Sequence, residues 1–522
     1  MTTRFSTTAV RALVLVSFLL SIPSHDFAAT PDPEQPHVVL VVWDGMRPDF
    51  VTEQNTPTLW KLGQEGVVFR NHHPVYFSAT NVNGVALATG MYPAHSDLIA
   101  NHEFRPQIDG RKPVDVENPA VANKGDELSH GSYIAAPTIA ELVQKTGGRS
   151  VIAASKTVGF LHDRPRPSGF GNGSVTLSAG ITWPNDVGSS ILKALGPFPK
   201  THIDRDSWTT RALTQVLWKE GVPPFSVLWL GEPDLTQHET APGAPAALRA
   251  VKSSDDNLAV LLNALDRYQV RQSTDVLVVS DHGFSTIARE IELPKILSGA
   301  GFQVMTEFKS PPQPGDVMVV GGGGSVLFYV IDHQPDVLRR LIEFLQHSDF
   351  AGVILTREPM EGAFTLDQAE INSPDGPDAV MAFRWKDEPN QYGVRGLIDA
   401  DWQSGPGKGT HATLSRYDMH NTLIAAGPHF QRGQADDLPT GNVDVAPTIL
   451  QILQVAAPRP MDGRVLSEAL AQSSSDLPAS ETQTLEVTRQ FPSGIWRQTL
   501  RISRVGETTY LNEGNGSFTP AK

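Results

Sequence analysis

His37-Val-Val-Leu-Val-Val-Trp43-Asp44-Gly45 is the stretch on which the fold turns. An unbroken apolar run rich in valine describes a strand buried on both faces, as in a parallel sheet. Similar runs recur at Val151-Ile-Ala-Ala154, Phe225-Ser-Val-Leu-Trp-Leu230 and Asp275-Val-Leu-Val-Val-Ser280, with Asn421-Thr-Leu-Ile-Ala-Ala426 as a later candidate. Helical patterns lie between them at 56–64, 83–88, 138–145, 207–220 and 246–268. Strand alternating with helix predicts an α/β fold: a mostly parallel sheet with helices on both faces.

Further along, Val317-Met-Val-Val320 and Ser325-Val-Leu-Phe-Tyr-Val330 flank Gly321–Gly324 and predict a hairpin. Four glycines also suit a phosphate-cradling loop, but no helix opens after them. A helix is expected from Pro335 to Gln346, followed by a polar stretch to Ser404. Residues 36–300 and 405–470 are therefore expected to form the α/β core, with 301–404 inserted as a cap. Residues 471–522 form a C-terminal extension, in which Trp496-Arg-Gln-Thr-Leu-Arg-Ile-Ser503 alternates like an edge strand.

The 522 residues carry 42 Lys+Arg against 57 Asp+Glu, a net charge of −15. No Lys/Arg cluster is present, so binding of a nucleic-acid polymer is not expected. There is no cysteine, which removes disulfides, thiolate metal sites and cysteine nucleophiles. Arg4 and Arg11 precede the apolar run Leu13–Ile22, followed by small residues at Ala28-Ala29. That run is too short for a bilayer span of ~20 residues, and it predicts a signal peptide over 1–29 and an exported, periplasmic or secreted protein. Pro31–Pro36 reads as a stiff linker, and no later stretch is apolar enough for a membrane span.

In open α/β sheets, ligands bind beyond the carboxyl ends of the strands. Asp44, Asp234 and the pair Asp281-His282 each follow one of the expected strands. Asp234 and His238, four apart, share a face on a helical turn. A lone aspartate after a strand is ordinarily a helix cap. Three such strand ends on one rim suggest carboxylate–imidazole ligands for Zn²⁺, Mn²⁺ or Fe²⁺. Thr80 opens the next helical run, either as an N-cap or where backbone N–H groups favour a phosphoryl anion.

Taken in order, Asp44-Gly, Thr80 with Thr89-Gly90-x-Tyr-Pro93, Asn101, Asp234-x-x-x-His238, Asp281-His282-Gly283 and Gly409-Thr-His411 resemble the alkaline phosphatase superfamily. The pattern is most similar to the nucleotide pyrophosphatase/phosphodiesterase branch, with phosphonoacetate hydrolase as a near relative. The resemblance implies two zinc ions, one held by Asp234, His238 and His411, the other by Asp44, Asp281 and His282. It further implies that Thr80 is the nucleophile, forming a phospho-threonine intermediate, and that Asn101 donates to a nonbridging phosphate oxygen. His420 competes with His411 on sequence grounds.

Departures from the family pattern matter too. Asn81-Val82-Asn83-Gly84 stands where diesterases carry Phe-Pro-Asn-His and is nearer the phosphonoacetate hydrolases. Lys156 lies where those enzymes bind a substrate carboxylate, but Val158 replaces their second lysine. The Cys/Ser-x-Pro-x-Arg motif of sulfatases is absent. No counterpart of the phosphatases' third metal site can be placed, which favours diesters. The expected activity is hydrolysis of small phosphodiesters or pyrophosphates; the alternatives are a phosphonate or phosphomonoester hydrolase and, last, a noncatalytic ligand-binding relative.

Overall fold

A computed structural model describes residues 1–3, 36–164, 172–472 and 477–521. Apart from Met1–Thr3, the segment read as an export signal lies outside the described residues. No helix of the described residues is long and apolar enough to cross a membrane.

The run that opened the sequence analysis is strand β1 (His37–Trp43), every residue of it buried. Its side chains alternate between two separate cores: Val38, Leu40 and Val42 enter one, Val39, Val41 and Trp43 the other. Burial on both faces is why the sequence shows no polar alternation there. The central sheet holds nine strands. In chain order these are β1, β2 (Val67–Phe69), β3 (Ser150–Ala154), β4 (Val175–Ser178), β5 (Ile181–Trp183), β6 (Phe225–Leu230), β7 (Thr274–Val279), β8 (Leu423–Ala426) and β9 (Gln434–Asp436). Their spatial order is β9-β2-β8-β7-β1-β6-β3-β4-β5. The stretch from β7 through β1, β6 and β3 to β4 is parallel throughout; β8 and β5 run against their neighbours. The expected mostly parallel sheet is observed.

Of the helices, α1 (Thr80–Thr89), α2 (Asp234–Glu239) and α3 (Asn442–Leu453) bear on the site. The pattern at 207–220 belongs to a helix that begins earlier, at His202, and ends in a π-helical turn over Ala212–Leu217.

Between 301 and 404 the hairpin forms as expected, with Val317–Gly321 antiparallel to Ser325–Val330. Pro335–Gln346 is helical. The polar stretch contributes strands that sequence reading missed, Ala351–Thr356, Phe364–Thr365 and Ala379–Phe383, which with Val304–Met305 extend the hairpin into a six-stranded sheet. One expectation is corrected at the C-terminus. The alternating segment 496–503 lies in Gly494–Val505, the middle strand of a three-stranded meander between Ser480–Phe491 and Thr508–Pro520. Alternation reports that one face is buried; it does not report how many edges are paired.

Candidate active site

Three adjacent strands of the sheet deliver the acidic residues to one rim. Asp44 follows β1, α2 with Asp234 and His238 follows β6, and Asp281-His282 follows β7. The turn past Asp44 needs the glycine there: Gly45 has φ +69°, and a Cβ would sit 2.9 Å from the Phe284 ring. His411 arrives from a short strand, Gly409–Thr410, paired antiparallel with Ser285–Thr286. His420 sits elsewhere, its Nε2 2.9 Å from the Arg70 carbonyl. Asp234, His238 and His411 each turn a ligand atom toward one point, and Asp44, Asp281 and His282 do the same toward another, the atoms within each group lying within 4.8 Å of one another. The rings of His282 and His411, one from each group, stack at 3.7 Å.

Each aspartate has one oxygen anchored and one without a hydrogen-bond partner. Asp44 Oδ2 accepts from Trp229 Nε1 at 2.9 Å and pairs with Lys156 Nζ at 2.8 Å. Asp234 Oδ2 accepts from Lys156 at 3.0 Å, and Asp281 Oδ1 accepts the N–H groups of Gly45 and His282, both at 3.0 Å. The other three oxygens, Asp44 Oδ1, Asp234 Oδ1 and Asp281 Oδ2, are buried and unpartnered. These are the atoms that face the imidazoles. The histidines are oriented to match: Nδ1 of His238, His282 and His411 lies 3.1, 2.9 and 2.8 Å from the carbonyls of Gly409, Gly283 and Ser78. A carbonyl only accepts, so each ring carries a proton on Nδ1 and turns its Nε2 inward.

Electrostatics divide within the site: although burial works against both shifts, Lys156 and His238 hold the pKa of Asp234 well below the ordinary range, and Asp234 raises that of His238, while the other four ligands shift in the opposite directions. Burial, and then the neighbouring carboxylates, raises the pKa of Asp44 and holds that of Asp281 well above the ordinary range. Burial and the adjacent imidazoles hold His411 well below its ordinary value, and burial lowers His282. Orphaned carboxylate oxygens opposite imidazole Nε2 atoms, in a site too acidic to leave uncompensated, fit a divalent cation at each group.

Thr80 stands at the first turn of α1 beside the Asp44–Asp281–His282 group, its Oγ1 3.3 Å from His282 Nε2 and 3.4 Å from Lys156 Nζ. The N-cap position belongs to Ala79, and the Thr80 hydroxyl makes no capping bond. The helix is served instead by Asn101, whose Oδ1 accepts the Asn81 N–H at 2.9 Å, leaving its Nδ2 as the donor. Close approach of α1 to the loop after β3 depends on Gly84, where a Cβ would lie 2.6 Å from Val158. Lys156 itself is mostly buried, and although burial works against its charge, the carboxylates of Asp234 and Asp44 raise its pKa well above the usual lysine value. The structure brings the nine residues singled out from the sequence together: the two groups, Lys156 and Thr80 are joined by the contacts above, and Asn101 reaches them through the Asn81 N–H. Sequence reasoning missed Trp229, the indole that fixes Asp44; as one of two aromatics in the apolar run of β6 it read only as core.

Comparisons with known proteins bear on the family and the fold. The profile of the type I phosphodiesterase/nucleotide pyrophosphatase family matches residues 38–380. Human ectonucleotide pyrophosphatase/phosphodiesterase family member 5 is 23% identical over 290 residues, covering 54% of this chain and 53% of the relative. Rat family member 7 is 21% identical over 455 residues, 87% of this chain and 91% of the relative. The chain thus spans about half the length of the first of these relatives and nearly all of the second. Among solved structures, murine ectonucleotide pyrophosphatase/phosphodiesterase 5, an inactive threonine-to-alanine variant in complex with AMP, superposes with a TM-score of 0.60 at 18% identity, covering 84% of this chain and 100% of that one. This chain belongs to the type I phosphodiesterase/nucleotide pyrophosphatase family.

Proposed function

We propose that this chain hydrolyses phosphate diesters or pyrophosphates of small, nucleotide-type substrates, with Thr80 as nucleophile and two zinc ions as cofactors. The observation that carries the reading is the set of three unpartnered aspartate oxygens facing three imidazole Nε2 atoms beside the Thr80 hydroxyl. Asp234, His238 and His411 would hold one ion; Asp44, Asp281 and His282 would hold the other. When bound, such cations supply charge neutralisation at the phosphoryl group and lower the pKa of a hydroxyl.

The protein's own residues do the rest. Thr80 Oγ1 attacks phosphorus in line, the bond to the leaving oxygen breaks, the threonine proton leaves with the displaced group, and a phospho-threonine forms that still carries the substrate's other ester substituent. Water then cleaves the new ester and returns the hydroxyl. Asn101, already oriented by its bond to Asn81, donates through Nδ2 to a nonbridging oxygen as charge builds there. Support comes from the murine structure, where a threonine-to-alanine variant is described as inactive and holds AMP. Residues 301–404 act as the cap that sets specificity, on a core of 36–300 and 405–470, with 471–522 as an extension. Export through the N-terminal segment completes the proposal.

One observation favours a second reading. Lys156 Nζ lies 3.4 Å from Thr80 Oγ1, where it could meet a second negative charge on the substrate, as a phosphonate or phosphomonoester hydrolase would require. Activity of chelated and reloaded enzyme on a nucleotide diester, a monoester and phosphonoacetate separates the two. Restoration by Zn²⁺ above Mg²⁺, with the diester turned over fastest, supports the leading reading. Full activity after exhaustive chelation overturns it.

A further inference from the structure

His72, Asn83, Asn421 and Asn442 are fully buried and are not among the groups assigned to metal or phosphoryl contact. Asn442, the first residue of α3, uses every hydrogen-bonding capacity of its amide. Its Nδ2 donates to Asn83 Oδ1 at 2.9 Å and to the main-chain carbonyl of Asp281 at 2.8 Å. Its Oδ1 accepts from His72 Nε2 at 2.9 Å and from Asn421 Nδ2 at 3.2 Å. The amide orientation is fixed by chemistry, because the Asp281 carbonyl can only accept.

Each partner holds a part of the site. Asn83 lies three residues past Thr80, and its Oδ1 also accepts the Val75 N–H at 2.8 Å. Its Nδ2 faces the carbonyls of Val75, Phe77 and Ala79 at 3.2, 3.0 and 3.2 Å, so it clamps the turn that presents Thr80. Asn421 donates to the Ser280 carbonyl, on the other side of the Asp281-His282 turn. One buried amide therefore joins the segment that presents the nucleophile to the turn that presents two ligands of one metal group. The second group, Asp234, His238 and His411, makes no hydrogen bond to Asn442 among the described residues.

We propose that Asn442 is a positioning residue that couples the Thr80 helix to the Asp44–Asp281–His282 group, leaving the Asp234–His238–His411 group independent of it. This rests on the two-metal reading above. The coupling predicts two different defects from two neighbouring substitutions. Asn442→Ser removes the donor to the Asp281 carbonyl; outer-shell losses of this kind typically cost 10–100-fold in metal affinity or activity. Asn83→Ser loosens the Thr80 turn and leaves the Asp281 carbonyl bonded to Asn442.

The experiment is zinc titration of the chelated full chain, with bound metal counted by elemental analysis, alongside kcat and KM for a nucleotide diester. Expected for Asn442→Ser is one ion held as in wild type and a second held at least 10-fold more weakly, with kcat lowered at least 10-fold. Expected for Asn83→Ser is two ions held as in wild type, with kcat lowered at least 10-fold and KM within about threefold. Equal weakening of both ions in Asn442→Ser, or wild-type affinity for both, overturns the proposal. Should Asn442→Ser fail to fold, Asn83→Ser decides alone: unchanged kcat, or loss of an ion, overturns it. A wild-type chain that binds fewer than two ions would instead sink the two-metal reading, and is seen before any variant is made.

Discussion

Removal of the Lys156 ammonium should destabilise the metal-free protein far more than the metal-loaded one. Lys156 Nζ pairs with Asp44 Oδ2 at 2.8 Å and Asp234 Oδ2 at 3.0 Å, and both carboxylates are almost completely inaccessible to solvent. Deleting one partner of a buried pair costs roughly 3–5 kcal/mol, because the remaining charge stays desolvated. Unfolding entropy of about 2.1 cal/mol/K per residue gives about 1 kcal/mol/K for a chain of this length, so the expected fall in Tm is about 3–5 °C. With cations bound, the same carboxylates have compensating charge on their free oxygens, and the loss shrinks. Lys156→Met and wild type should be compared by thermal unfolding at pH 8, each after chelation and after zinc reloading. The reasoning predicts that zinc raises the Tm of Lys156→Met by about 3–5 °C more than it raises that of wild type. An equal rise in both, or no fall in chelated Lys156→Met, refutes it.

Asn101→Ala should lower kcat by about 10²-fold with metal content unchanged, the low end for loss of a donor to developing charge; wild-type turnover would leave Asn101 only its bond to the Asn81 N–H. Acid sensitivity is expected from His72, whose pKa burial lowers from 6.5 to about 3. The unfolded chain binds this proton below pH 6.5 while the folded chain does not, so stability falls as pH drops from 6.5 toward 3, by about 2 kcal/mol at pH 5. His72→Gln should lose that much less between pH 7.5 and 5 in urea unfolding, and an identical pH dependence would remove His72 from the account.

Local chemistry made much of this site legible. β1 coincides with its expected bounds because burial on both faces leaves an unbroken apolar run, and the Asp-Gly and Asp-His-Gly turns that end β1 and β7 mark where backbone reverses beside a strand end. His411 was separable from His420 only through its Gly-Thr-His setting, since both are single histidines in polar surroundings. What stayed hidden depends on partners far apart in sequence. Asn442 meets Asn83 across 359 residues and Asp281 across 161, and no period or spacing in the chain carries those contacts. Trp229 looked like any core aromatic because only its ring nitrogen is engaged in the site. The reversed direction of β8 was equally silent, as a buried strand reads the same in either orientation.

The central claim is that the Thr80 oxygen takes up the phosphoryl group. Enzyme mixed with excess nucleotide diester, quenched in acid during turnover and digested, should yield the peptide containing Thr80 with one added phosphoryl group that still carries the ester substituent retained from the substrate. That label should vanish in Thr80→Ala together with turnover, while bound metal stays at the wild-type level. Thr80→Ser should keep both label and substantial activity, because the attacking oxygen survives. A label on Ser78, whose hydroxyl donates to the Thr413 carbonyl at 3.1 Å, or full turnover by Thr80→Ala, would contradict the account.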